Sequence, residues 1–184
     1  MHYQKLISYI FVLVPLIYII FSIIFNNDII NPFSYLISST GFIALTFLLV
    51  ILFIPIFSYI NNIFDRKILG LSAFTYTFIH LCLYILDNSI SLNYLVTDIS
   101  NILYIQVGYI AFLLFLPLVF SSTIKAKIML KDNWYKIHRL IYIITLLSFL
   151  HYYLIIKADF LLFGIYVTAT ILILMIKYRV LRNE

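Results

Sequence analysis

Two ionisable side chains sit deep inside the most apolar stretches of this sequence, His80 and His151. With tyrosine and cysteine set aside, no other titratable group lies well inside a long apolar run. Such groups are costly to hold away from water and usually carry function. His80 lies twelve residues beyond Ile68, where its run begins, and His151 lies thirteen beyond His138, where another begins. At about 1.5 Å per helical residue, the imidazoles stand about 18 Å and about 20 Å along their helices. Two neutral imidazoles facing each other at one height suit an iron porphyrin, each giving an axial nitrogen while apolar walls hold the macrocycle. The competing reading is a pair of unrelated histidines, bonded to backbone carbonyls or to serine and threonine hydroxyls. A bare metal ion fits less well, because no carboxylate or cysteine joins the pair with suitable geometry.

A third histidine, His138, begins the second of these runs, in WYKIHRLIY. There it is either a ligand for a second porphyrin or an interfacial imidazole beside Lys136 and Arg139. Thirteen residues on an ideal helix turn His138 and His151 about 140° apart. Both can face one interior only if the first turn is distorted. Arg66 and Lys67 fall at the same level as His138. They are placed either to bond heme propionates or a flavin phosphate, or simply to mark the side of the membrane on which they lie; Arg139 shares this ambiguity. His2 is terminal and expected to be solvated. Trp134, the single tryptophan, is expected to anchor at the interface. Cys82 is the single cysteine, so there is no internal disulfide and no CxxC pair.

The elements that must position these residues are transmembrane helices. Hydrophobic residues make up 65% of the chain and charged residues 10%, against about 25% charged in a soluble domain. Six apolar runs are long enough to cross about 30 Å of hydrocarbon: 7–25, 41–60, 68–87, 103–121, 138–156 and 160–177. The first is too long for a signal-peptide core and lacks a cleavage site, so it reads as a retained helix. Pro15, Pro55 and Pro117 lie within runs and are expected to kink them. The short 157–159 connection makes the last two helices an antiparallel hairpin. Of the twelve Lys and Arg residues, eleven fall on one side, from Lys5 to Arg182, and only Lys157 on the other. By the positive-inside rule both termini are cytoplasmic, and the 26–40, 88–102 and 157–159 connections face outward. The fold expected is an all-α membrane protein, one domain over 1–184 built as a bundle of six transmembrane helices. The net charge of +5 sits in short loops and forms no stripe for nucleic acid.

The chain resembles a known family through STGFIAL at 39–45, RKILGL at 66–71 leading to FIHLCLY at 78–84, VFSST at 119–123, and WYKIHRLIY at 134–142 followed by His151. These are similar to the heme-binding membrane subunits (MsrQ) of periplasmic methionine-sulfoxide reductase systems, within the ferric-reductase-like transmembrane superfamily. The resemblance implies heme b with His80, His151 and His138 as iron ligands, and FMN as an associated cofactor. It implies electron entry on the inner side, from the quinone pool or a cytoplasmic flavin reductase. Delivery would be to a periplasmic molybdopterin methionine-sulfoxide reductase that repairs oxidised envelope proteins, with the chain in the bacterial inner membrane. Ferric reductases and NADPH oxidases carry two histidines on the third helix. Here Arg66 and Lys67 stand where the inner one belongs, so an inner heme at His138 would be five-coordinate, unusually ligated or absent. The chain carries no nucleotide-binding domain, so a separate electron donor is expected. No Gly-rich phosphate loop supports FMN from the residues themselves.

The expected role is thus an electron-transfer subunit rather than the catalytic reductase, with a stand-alone transmembrane ferric or quinone reductase as the alternative. A transporter would place carboxylates or broken helices at the midplane, and the runs lack the former. An anchor protein would leave the histidines incidental. A red membrane extract with a Soret band separates electron transfer from both.

Overall fold

The computed structural model describes residues 2–88, 91–156 and 160–182. Helix α1, His2–Phe25, contains Pro15. Helix α2, Pro32–Phe53, starts where the Asn31 side chain accepts from the Ser34 N–H and Pro32 occupies the first turn. That turn has no N–H partner to lose at a proline. Pro55 then forces a single 3-10 turn, Ile54–Ile56, followed by a short α3, Ser58–Ile63. Helix α4, Arg66–Asp87, is capped by Asp65, whose carboxylate accepts from the N–H groups of Lys67 and Ile68. Helix α5, Leu92–Asn101, is a short amphipathic helix, and α6, Leu103–Phe120, contains Pro117. Thr123 caps α7, Ile124–Leu130. Lys131, at φ 46°, turns the chain into α8, Asp132–His138. Helices α9, Leu140–Ile155, and α10, Phe160–Arg182, complete the chain.

Among the described residues, six helices are long and apolar enough to cross a membrane: Tyr3–Phe25, Pro32–Ile56, Arg66–Asp87, Leu103–Phe120, Asp132–Ile155 and Phe160–Arg179. The chain is an all-α, multi-pass membrane protein. Two expected boundaries move. The second span, expected over 41–60, is helical from Pro32 and ends at Ile56. The fifth, expected over 138–156, begins earlier, at Asp132, and α8 passes into α9 through a tight turn at Arg139. The 157–159 connection, with Lys157, lies outside the described residues. The ring of Phe163 on α10 meets Phe149, Tyr152 and Tyr153 near the end of α9, as in adjacent antiparallel helices.

Helix α2 is the centre of the bundle. Its Thr40, Ala44, Leu45, Phe47, Leu48, Leu49 and Leu52 are all buried. Phe47 and Leu48 pack with Leu69, Ala73 and Tyr76 of α4, Phe115 of α6 and Ile144 of α9 in one core cluster. The most extensively packed helix pairs are α2 with α4 and α6 with α9. Helix α1 is tied to α4 by polar bonds: the Tyr76 hydroxyl donates to the Val12 carbonyl at 2.9 Å. The fully buried Ser8 hydroxyl donates to the Gln4 carbonyl and accepts the Asp65 N–H, both at 2.8 Å. Outward-facing aliphatics such as Ile110, Leu146 and Leu161 are exposed, as suits a surface solvated by lipid.

Candidate cofactor site

His80 lies two-thirds of the way along α4, and its Nδ1 stands 2.8 Å from the Ile37 carbonyl of α2. His151 lies near the end of α9, and its Nδ1 stands 2.7 Å from the Tyr104 carbonyl of α6. A carbonyl can only accept, so in each neutral ring the proton sits on Nδ1 and the lone pair on Nε2. No hydrogen bond among the described residues occupies either Nε2. The ring centroids are 6.1 Å apart and the ring planes are 84° to each other. Depth matching on two separate helices has brought the pair together as the sequence implied.

This spacing fits a six-coordinate porphyrin iron. A metal–nitrogen bond of about 2 Å on each side, with about 1 Å from each nitrogen to its ring centre, separates two axial imidazoles by about 6 Å. The orienting carbonyls are the outer hydrogen bonds that metal-bound histidines ordinarily make. Both histidines line a cavity of about 260 Å³ between α2, α4, α6 and α9. Its walls are mostly apolar, with three hydroxyls from Ser38, Thr77 and Ser148 and four tyrosines, Tyr84, Tyr104, Tyr109 and Tyr152, as polar members beside the histidines. The Tyr84 hydroxyl donates to the Asp98 carboxylate of α5 at 2.6 Å.

His138 is not part of this pair. Its Nε2 is 3.2 Å from the Ser121 hydroxyl, and its ring lies on Trp134 with centroids 4.0 Å apart. Trp134 in turn donates Nε1–H to the Ser121 carbonyl at 2.9 Å, and the Lys127 ammonium stands 4.8 Å over its ring. His138 lines a second cavity, about 850 Å³ in volume, together with Arg66, Lys67, Lys127, Arg139 and Lys177. Among the described residues, Asp65 is the only carboxylate in this wall, and it is engaged in capping α4. Lys177 donates to the Tyr142 hydroxyl. Leu48 lines both cavities, so a single buried leucine side chain reaches each. A tight turn at Arg139, whose N–H donates to the Tyr135 and Lys136 carbonyls at 3.2 Å, separates His138 on α8 from His151 on α9. Among the described residues, no three His, Cys, Asp or Glu side chains converge on a bare metal site.

Sequence reasoning passed over two glycines. An added Cβ at Gly41 would stand 3.1 Å from His80 Nδ1, and one at Gly108 would stand 3.0 Å from His151 Nδ1. The available signal was a glycine in the middle of each apolar helix, which usually marks a close approach.

The chain is thus a six-span helical membrane protein with two imidazoles 6.1 Å apart in its core. Residues 37–149 match the family described as "Ferric reductase like transmembrane component", and the chain belongs to that family. It is also similar to the protein-methionine-sulfoxide reductase heme-binding subunit MsrQ of Xanthomonas oryzae pv. oryzae. That likeness is 37% identity over 134 residues, 70% of this chain and 62% of the relative. The subunit of the same name from Caulobacter vibrioides is 38% identical over 96 residues, 51% of this chain and 46% of the relative. The chain therefore spans less than two thirds of the length of these curated relatives. No solved structure matches it.

Proposed function

We propose that the chain is a heme b-binding electron-transfer subunit of a bacterial inner membrane, with His80 and His151 as the two axial ligands of one iron. The observation that carries this reading is the pair of imidazoles 6.1 Å apart, each with Nδ1 turned to a carbonyl. Bound heme supplies a one-electron carrier whose potential follows from its ligands and its dry surroundings. The protein's part is to hold both rings, fix their tautomers and exclude water.

The basic cavity is the proposed site of electron entry, facing the cytoplasm with both termini. Arg66, Lys67, Lys127, Arg139 and Lys177 suit the carboxylates of a second heme or the phosphate of FMN, since both are anions that accept charge-assisted bonds. His138 is the ligand offered to such a heme. Donors of the proposed class are the quinone pool or a cytoplasmic flavin reductase. The proposed acceptor is a periplasmic molybdopterin methionine-sulfoxide reductase, by likeness to relatives named as heme-binding subunits of that system. A second reading, a stand-alone transmembrane ferric or quinone reductase, is favoured by the family match itself. It differs in needing no protein acceptor.

The test is spectroscopic. Purified protein should be red, with a low-spin bis-histidine spectrum that His80→Ala and His151→Ala each abolish. A normal bis-histidine spectrum in either variant overturns the assignment. Dithionite-reduced protein that passes electrons to iron chelates but not to a methionine-sulfoxide reductase supports the second reading.

A further inference from the structure

We infer that Gly41 and Gly108 are positioning residues for the two imidazoles, paired with the Ile37 and Tyr104 carbonyls as one device used twice. The inference rests on the bis-histidine reading above.

Each acceptor carbonyl lies four residues before a glycine, Ile37 before Gly41 on α2 and Tyr104 before Gly108 on α6. In an α-helix the carbonyl of residue i is already bonded to the N–H of residue i+4. A carbonyl oxygen has a second lone pair, but reaching it from outside the helix is a steric problem. The Cα–Cβ bond of every helical residue leans toward the N-terminus, so a side chain covers the turn before its own Cα. A side chain at i+4 therefore overhangs the carbonyl of residue i. Glycine leaves that carbonyl open to a ring arriving from a neighbouring helix.

The distances fit this account at both places. An added Cβ at Gly41 meets His80 Nδ1 at 3.1 Å and Cε1 at 3.2 Å; one at Gly108 meets His151 Nδ1 and Cε1, both at 3.0 Å. The first atoms met are on the very edge of the ring that reaches for the carbonyl. The device recurs in the two most extensively packed helix pairs, α2 with α4 and α6 with α9. By contrast, an added Cβ at Gly164 meets nothing within 4 Å.

The consequence is control of tautomer and ring plane together. The carbonyl holds the proton on Nδ1, and its direction fixes rotation of the ring about its bond to Cβ. The two fixed planes stand 84° apart. Axial imidazoles held in perpendicular planes would leave the two d orbitals that share three electrons in low-spin ferric iron nearly degenerate. Such iron gives a strongly anisotropic paramagnetic resonance signal, whereas near-parallel planes give a rhombic one. A methyl group at either glycine forces its ring to retreat by a few tenths of an ångström or to turn off its carbonyl.

The experiment compares Gly41→Ala, Gly108→Ala and Gly164→Ala in the purified, heme-loaded full chain. Low-temperature paramagnetic resonance and redox titration are the readouts, with helix content and size-exclusion behaviour followed in parallel. Wild type and Gly164→Ala should share a strongly anisotropic low-spin signal. Gly41→Ala and Gly108→Ala should each turn that signal rhombic or high-spin and shift the midpoint potential, or lose heme from a protein that stays helical and monodisperse. An unchanged signal and potential in both variants overturns the inference while leaving the bis-histidine reading intact. Collapse of the fold alongside heme loss overturns it too, because the glycines would then serve helix packing. A wild-type protein without heme overturns the parent reading as well as this one.

Discussion

The two cavities on either side of Leu48 solve opposite problems. The histidine cavity is small, about 260 Å³, and its two imidazoles are pinned by main-chain carbonyls. The basic cavity is about 850 Å³ and lined by five cations and a single imidazole that leans on Trp134 and Ser121. Main-chain acceptors do not move without their helices, so the first site is rigid by construction. Long cationic side chains adapt to the shape of whatever anion enters, so the second is adaptable. On the proposed function, rigidity suits the carrier and adaptability suits the proposed place of electron entry.

The largest effect expected from breaking this contrast is a separation of spectra. His80→Ala should erase the bis-histidine signal and leave whatever His138 supports. His138→Ala should do the reverse, preserving the low-spin signal of the His80–His151 pair. Optical titration of each variant checks this. Loss of the same band in both variants would mean that the two cavities do not act separately.

A smaller change is expected from the cations. The double variant Arg66→Gln, Lys67→Gln removes two positive charges from the wall of the basic cavity. Reduction of the protein by an anionic flavin donor should slow on the order of tenfold at low salt, as lost electrostatic steering does. The difference should shrink near 1 M salt, where the Debye length is about 3 Å. Stopped-flow rates at two ionic strengths decide it, and equal rates at low salt would remove the cavity from the entry route.

Much of this contrast was legible before any coordinates. The apolar runs and the matched depth of His80 and His151 are properties of composition and of rise per residue, and both survive folding. The start of α2 was not legible. The connection expected over 26–40 is shorter, since α2 runs from Pro32 through Ser34, Ser38, Ser39 and Thr40. Hydroxyls inside a helix can turn back on their own turn, as Thr40 does by donating to the Leu36 carbonyl at 2.7 Å. The sequence could say that His138 and His151 need a distorted first turn to share one interior, but nothing local announces that the turn falls at Arg139. Gly41 and Gly108 stayed silent because their meaning depends on a ring from another helix.

A packing-level test targets the joint that sets the basic cavity's floor. Ser8 is fully buried, and its hydroxyl accepts the Asp65 N–H at 2.8 Å, just ahead of Arg66. Ser8→Ala leaves that donor without this partner, a cost of about 1–3 kcal/mol. The variant should lower the thermal midpoint of the purified protein while leaving the spectrum of the histidine pair in place. A shifted spectrum at unchanged stability would mean that α1 acts on the histidine cavity directly.

The smallest expected effect belongs to Asp65 itself. Its carboxylate accepts from Lys67 N–H at 2.9 Å and Ile68 N–H at 3.4 Å, satisfying two of the free donors that open α4. Asp65→Ala should cost about 1 kcal/mol, the usual loss for an N-cap, and Asp65→Asn should recover most of it, since the amide oxygen still accepts. The two variants part company in the basic cavity. Both remove the one negative charge in its wall, so both should bind an anionic donor slightly more tightly than wild type, whatever their stability. Thermal melts alongside donor titrations separate the cap from the charge. Affinity that follows stability instead of charge would show that the cavity's preference for anions is set by the placement of α4 and not by its net charge.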